Sequence, residues 1–224
     1  MSIIRNMDLS YVNIKQCLDN KGIIIRNDND GIFVKDKDSE VFYLACADTA
    51  KALIWLEEYG DCYCLELYNE ELFDMLKNRY RHNMVCYQYV YNYPDIETDN
   101  RLNYRVAEKG DINFFKQHYS NLTDEEIEYI IEHRQLYFGL LNDEIVGFVG
   151  MHVEKCVGIL KVFEKYRHNG YGKALESFMI KECLSRGLIA YTQVETDNKA
   201  SIALQESIGL IRGSKLVYLL FWQL

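Results

Sequence analysis

The chain has 224 residues, 49% hydrophobic and 26% charged, with a formal net charge of −9. That length can bury a sizeable core as one domain or as two of about 100 residues each, and the apolar fraction excludes a disordered chain. The acidic balance argues against a nucleic-acid partner held by counterion release, while permitting a cationic amine steered in by the field.

The N-terminus has no apolar stretch of signal-peptide type, and no run approaches the roughly 18 apolar residues of a membrane span. A cytoplasmic protein with no membrane partner is expected. The cysteines at 17, 46, 62, 64, 86, 156 and 183 are odd in number and lack CxxC spacing. They read as buried free thiols in a reducing compartment, not as a disulfide framework or zinc site, and no metal is expected.

In chain order, the first half predicts a short helix around Asp8–Leu18 and strands at Gly22–Arg26, Gly31–Lys35 and Val41–Ala47. A helix at Thr49–Tyr59 stops at Gly60, followed by a strand at Cys62–Leu67, a helix at Glu70–Arg79 and a strand at Met84–Tyr91. Tyr87, Tyr89, Tyr91 and Tyr93 alternate with other residues and are placed on one strand face, as sheet packing or as the wall of an acceptor pocket. The polar stretch Asn92–Arg101 holds the only proline and marks a boundary between domains at 1–95 and 102–224.

A strand at Leu102–Ala107 opens the second half, and Asp111–Arg134 reads as helical, with a cap at Thr123. Strands follow at Leu136–Leu141, Ile145–Val153 and Val157–Phe163, the first two joined by an Asn142-Asp143 hairpin turn. A helix at Gly172–Arg186 sets Leu175, Phe178, Met179 and Leu184 on one face and is C-capped by Gly187. The chain closes with a strand at Ile189–Glu195, a helix at Lys199–Ile208 stopped by Gly209, and an apolar strand at Lys215–Trp222. That last strand is either central in a sheet or paired across a homodimer. The order α-β-β-β-α-β-α-β thus occurs twice, the pattern of a tandem duplication. The expected fold class is α/β (α+β, mixed sheet).

The halves differ at one place. Before its long helix the second half inserts Glu164 to Gly172, while the first half runs from Cys46 through Ala47-Asp48 straight into its helix. Glycines at a helix start let backbone N–H groups close on an anion, and Arg167 adds a charge-assisted partner. A dinucleotide fingerprint fails, because Leu175 stands where its third glycine belongs. A Walker A loop fails too, since Arg167 takes its first position and Ala174 follows Gly172-Lys173. The residues by themselves leave an anion cradle or a plain helix-start turn.

The flanks add to this. Leu160-Lys161-Val162, then Arg167-x-x-Gly170-x-Gly172-x-Ala174-Leu175, followed by Asn198-Lys-Ala-Ser201-Ile-Ala-Leu204-Gln-Glu-Ser-Ile-Gly209-Leu210, resemble the paired motifs of the GCN5-related N-acetyltransferase (GNAT) superfamily. The closest look within it is to the FR47-like and glycine N-acyltransferase-like branch, in tandem two-domain form. The resemblance implies two GNAT-like units, the N-terminal one degenerate and without a phosphate loop, the C-terminal one binding acyl-CoA. It implies that Val157–Phe163 and Ile189–Glu195 splay to admit the pantetheine arm, which Leu160 and Val162 would pair with through their backbone. Arg167, His168, Asn169, Gly170, Tyr171, Gly172 and Lys173 would hold the pyrophosphate, and Asn198 and Ser201 would touch the arm.

The implied function is N-acyltransfer, with acetyl-CoA as co-substrate and a small amine or amino acid as acceptor, in a monomer or homodimer. Glu154 is the first choice of general base, followed by Glu195 and His152; each carboxylate also reads as a solvated strand-end charge. Departures are His168 and Asn169 in the loop, Glu164 where proline is frequent, and Gln205 where many members carry the tyrosine that protonates the departing thiolate. The Gln205 change keeps a non-catalytic acyl-CoA-binding protein open as an alternative, and a protein-directed acetyltransferase is another.

Overall fold

Caps and turn residues set most element boundaries in the structure, a computed structural model that describes residues 8–222. Asp8 accepts from the Ser10 N–H and starts a 3-10 turn that leads into α1 (Val12–Asp19). Strands β1 (Ile23–Asn27), β2 (Gly31–Lys35) and β3 (Val41–Cys46) follow. Helix α2 (Thr49–Tyr59) is capped by the Asp48 side chain accepting from Lys51 N and ends at Gly60. Then come β4 (Cys64–Leu67), α3 (Glu70–Leu76) capped by Asn69, and β5 (His82–Val90).

The second half contains β6 (Asn103–Val106), α4 (Ile112–His118), α5 (Asp124–Glu132), β7 (Leu136–Leu141), β8 (Glu144–Met151) and β9 (Val157–Val162). It closes with α6 (Tyr171–Ser185), β10 (Tyr191–Glu195), α7 (Lys199–Ile208) and β11 (Ile211–Phe221). The expected helical stretch Asp111–Arg134 is two helices. Thr123 and Glu126 bond reciprocally to each other's backbone N–H, and this capping box begins α5 as a fresh helix. Asn142 and Asp143 have φ of 50° and 66°, the left-handed pair that a tight hairpin turn demands. All seven cysteines are free thiols, buried except for the half-buried Cys64. Among the described residues no helix is long and apolar enough to cross a membrane.

The described chain forms two compact units. One comprises residues 90–192 and 200–211 and is built on the antiparallel sheet β6-β7-β8-β9. Phe115, Ile127, Ile130, Phe138, Phe148 and Ile159 form its core under α4 and α5. Helix α6 lies against the same unit, where Tyr104 stacks on Phe178 at 3.8 Å and donates its hydroxyl to Ala174 O. Gly147 faces Val162 across the β8–β9 ladder, and a Cβ there would sit 2.1 Å from Lys161 O. Only glycine lets β9 approach this closely. Gly147→Val is therefore expected to cost about 1–3 kcal/mol by overpacking, read as a lower midpoint in thermal denaturation; an unchanged midpoint would contradict the close approach.

The other unit comprises residues 8–89, 193–199 and 212–222. Its strands are hydrogen-bonded in the order β1-β2-β3-β4-β11-β5-β10, with β3 and β4 parallel and β4 and β11 antiparallel. Phe33, Phe42, Leu44, Leu65, Leu67, Leu72 and Leu220 fill one side of this sheet. On the other, polar bonds tie down α1 and the turn before it: Asn13 Nδ2 donates to Glu66, which also accepts from Gln193 Nε2, and Gln88 Nε2 donates to Ser10 O.

These units do not coincide with the contiguous stretches 1–95 and 102–224 expected from the sequence. The apolar last strand is the reason. Val217, Leu219 and Leu220 are all buried, so β11 covers both its faces, and it lies between β4 and β5, two strands of the first half. Of the two readings of this strand, the central one holds.

Candidate functional site

Strand β9 is the edge of its sheet, and the register shows which of its backbone groups face outward. Phe163 N donates to Val146 O at 2.9 Å, so 163/146 is a hydrogen-bonded pair. With Lys161 opposite Phe148 and Ile159 opposite Gly150, alternation gives those two pairs the remaining inward bonds. Leu160 and Val162 therefore turn their N–H and C=O groups away from β8. The Arg167 Nε donation to Val162 O at 3.3 Å agrees with that direction.

The chain then makes a short 3-10 turn at Glu164–Tyr166, held by Lys165 and Tyr166, which both bond to Glu144. Asn169 Nδ2 donates back to Tyr166 O and Arg167 O, which closes the loop. His168 has φ 63° and Gly170 φ 80°. This left-handed geometry suits glycine at 170 and turns the chain sharply into α6.

Helix α6 has no side-chain N-cap. Its first intrahelical bond is Ala174 N to Gly170 O at 3.1 Å. The N–H groups of Tyr171, Gly172 and Lys173 consequently have no acceptor among the described residues, at the positive end of a four-turn helix. A Cβ on Gly172 would lie 3.8 Å from both Val162 and Leu204. Glycine is not forced there by crowding; it leaves open space between β9 and α7. The arrangement is an outward strand edge that leads into a bare helix N-terminus, able to hold an extended amide-bearing chain and then an anion.

Sequence reasoning missed Arg101. Its guanidinium donates to Asn169 O at 3.2 Å, lies 5.2 Å from the Tyr171 ring centroid and pairs with Asp99. Nothing in the polar junction around it signalled a role, because the contact spans 68 positions. Lys173 Nζ donates to Ser207 O on α7, so its charge is engaged there.

The remaining expected residues lie on other elements. Ser201 is half-buried near the start of α7, and Asn198 is exposed in the turn before it. Asn198 and Glu195 belong to the second compact unit. Glu195 is the exposed last residue of β10, the edge strand of the seven-stranded sheet, and its carbonyl accepts from Asn198 N. Glu154 does not stand at the strand end expected for it: β8 stops at Met151, and Glu154 occupies the following turn, half-buried, with its carbonyl accepting from the Tyr191 hydroxyl at 3.2 Å. Tyr119 is also near. Burial, aided by the charges of Cys156 and Glu154, pushes its phenol up to about 12. His152 is a turn residue whose N–H donates to Cys156 O, with its ring packed over Gly158.

Compared with known proteins, residues 54–210 match the acetyltransferase (GNAT) family. The match begins inside α2, so it is not confined to the second half. Among solved structures, a Drosophila protein superposes with a TM-score of 0.65 at 16% identity, covering 85% of this chain and 74% of that one. A putative acetyltransferase of the GNAT family from Novosphingobium aromaticivorans gives 0.60 at 14%, covering 94% and 95%. A GCN5-related N-acetyltransferase from Kribbella flavida gives 0.58 at 10%, covering 97% and 96%. At these identities the likeness is one of fold, the expected α/β class with a mixed sheet. Comparison with curated protein sequences finds no match.

Proposed function

The chain belongs to the acetyltransferase (GNAT) family, and on that premise we propose that it moves an acyl group, acetyl in the simplest case, from coenzyme A to the primary amine of a small molecule or amino acid. The observation that carries this reading is the outward edge of β9 at Leu160 and Val162 running into the uncapped helix start at Tyr171, Gly172 and Lys173. The pantetheine amides would add to that edge like a short strand. The pyrophosphate would rest on the helix start, with Arg167, His168 and Asn169 around it, and Asn198 and Ser201 would contact the arm.

The transfer follows from this placement. The neutral amine attacks the thioester carbonyl carbon, and an outward N–H of β9 stabilises the oxyanion. The C–S bond then breaks, CoA leaves as the thiolate, and the amine's proton passes to a base, directly or through water. Glu154 is the proposed base, with Glu195 and His152 as its alternatives. Glu154→Gln is expected to lower kcat about 100-fold while acetyl-CoA affinity stays unchanged; an unaltered kcat would move the role to Glu195 or His152.

The first half reads as a degenerate copy that binds no CoA. It has the same element order, but at the start of α2 the Asp48 carboxylate already caps the Lys51 N–H. A protein anion stands where a phosphate would sit. The tandem, FR47-like form is the finer assignment that goes with this reading.

The test is a calorimetric titration with acetyl-CoA, followed by a screen of primary amines for CoA release. Binding together with release supports the transferase. Binding without release from any amine would support a non-catalytic acyl-CoA-binding protein, a reading that the buried Gln205 at the usual tyrosine position favours. No binding by the folded protein would overturn both.

A further inference from the structure

Helix α6 lays Ala174, Leu175, Met179, Ile180 and Cys183 into the interior, and the same face buries one carboxyl, Glu176. Only 3% of Glu176 is exposed. Helix α7 buries a single residue, and that is polar as well: Gln205, 2% exposed. The two side chains are hydrogen-bonded to each other, yet Glu176 Oε2 and Gln205 Oε1 have no hydrogen-bond partner among the described residues. A buried polar atom left without a partner is costly and calls for an explanation.

Among the described residues no cation accounts for an ionised carboxyl here. Burial pushes Glu176 up to about 7, and the Gln205 hydrogen bond is the sole opposing influence. Charged groups on the surrounding elements are engaged elsewhere. Lys161 of β9 donates to His118 O, Glu144 of β8 bonds Lys165 and Tyr166, and Lys173 reaches Ser207 O. Glu182 of α6 bonds Tyr137 and Arg186, and Lys181, Lys199 and Glu206 are exposed. An ionised carboxylate and an amide carbonyl are both acceptors only, so neither can satisfy the other. A single proton on Oε2 would turn that oxygen into a donor for Gln205 Oε1, with the Gln205 amide donating to the other carboxyl oxygen.

We propose that Glu176 is a positioning residue, held as a neutral carboxylic acid and joined to Gln205 by two reciprocal hydrogen bonds that fasten α7 to α6 behind the phosphate cradle. The pair itself stands apart from the acyl-CoA reading; its effect on the site rests on that reading. Glu176 is one turn below Gly172 on α6, and Leu204, next to Gln205, lies 3.8 Å from where a Gly172 Cβ would be. The fastening therefore sets the back wall of the cradle. Loss of the proton puts an uncompensated charge beside an acceptor in the core, releases α7 and weakens acyl-CoA binding. The sign follows: the folded group titrates above its ordinary value of 4.5, so its stabilisation is complete below that value and is lost as pH rises through about 7.

The experiment is a pH titration of the full chain carrying carboxyl-13C glutamate, alongside thermal melts and acetyl-CoA affinities across the same range. One glutamate carboxyl is expected to titrate near neutral pH, and its resonance disappears in Glu176→Gln. Wild-type melting temperature falls from weakly acidic to mildly alkaline pH, and Glu176→Gln flattens that slope. Acetyl-CoA affinity falls by up to about tenfold per pH unit above the midpoint, and the variant removes this too. Should Glu176→Gln not fold, Gln205→Met moves the midpoint of the near-neutral resonance while the other carboxyls stay in place. All glutamates titrating in the ordinary range would overturn the proposal. A near-neutral carboxyl with no acetyl-CoA binding at any pH would support the pair and overturn the acyl-CoA reading alone.

Discussion

Gly172→Asp is expected to fold as the wild type does and to weaken acetyl-CoA binding about 100-fold, the loss of one or two charge-assisted hydrogen bonds. The site predicts both halves of this result. A Cβ at 172 meets Val162 and Leu204 only at ordinary contact distance, 3.8 Å, so the fold has room for the side chain. The new carboxylate, however, stands at the helix start and satisfies the N–H groups that would otherwise receive the pyrophosphate. A carboxylate at an N-terminus stabilises the helix, so the melting temperature should hold or rise slightly while affinity falls. Adding Gly170→Asp would remove the remaining binding, with some loss of stability, because position 170 has φ 80° and only glycine takes it freely. Calorimetry of wild type, single and double variants checks the series. Undiminished affinity in Gly172→Asp would separate the cradle from acyl-CoA binding.

The largest effect on stability is expected from Phe148→Ala, at about 3–5 kcal/mol. Phe148 is fully buried on β8, and its ring meets those of Phe115, Tyr119, Phe138 and Phe163 at centroid distances of 5.0 to 6.3 Å. Removing it leaves a cavity that four aromatic side chains border, and rigid rings collapse poorly into such space. Phe148 also stands opposite Lys161 in the ladder that holds β9, so acetyl-CoA affinity should drop with stability. Denaturant unfolding followed by fluorescence measures the first effect. A loss below about 1 kcal/mol would mean that the cluster repacks as readily as a well-tolerated volume-conserving swap.

Much of this protein was legible in its chain because the signals are local. Glycines, Asx residues and a capping box act within four or five positions, and they place most helix starts and stops within a few residues of those observed. The loop from Arg167 to Lys173 was readable for the same reason: left-handed residues and a bare helix start are properties of a short segment. Glu176 was not readable. Its position on the buried face of α6 follows from helical spacing, but that a carboxyl there would be tolerated depends on Gln205, 29 residues further on. Arg101 escaped for a like reason, since its contact with the loop joins two segments that only folding brings together.

By itself, then, the sequence determined the order and type of elements, the helix-start loop and the paired motifs, since propensity, turn chemistry and capping operate over single turns. Tertiary structure alone decided three things: that β11 enters the sheet between β4 and β5, that β9 is an edge with Leu160 and Val162 facing out, and that Glu176 meets Gln205. Each is a choice of partner. An apolar strand carries no label for which strand it will pair with, and a polar side chain none for which distant group will satisfy it. Those choices are made by the burial of both faces of β11 and by the cost of leaving polar atoms unpaired in the core.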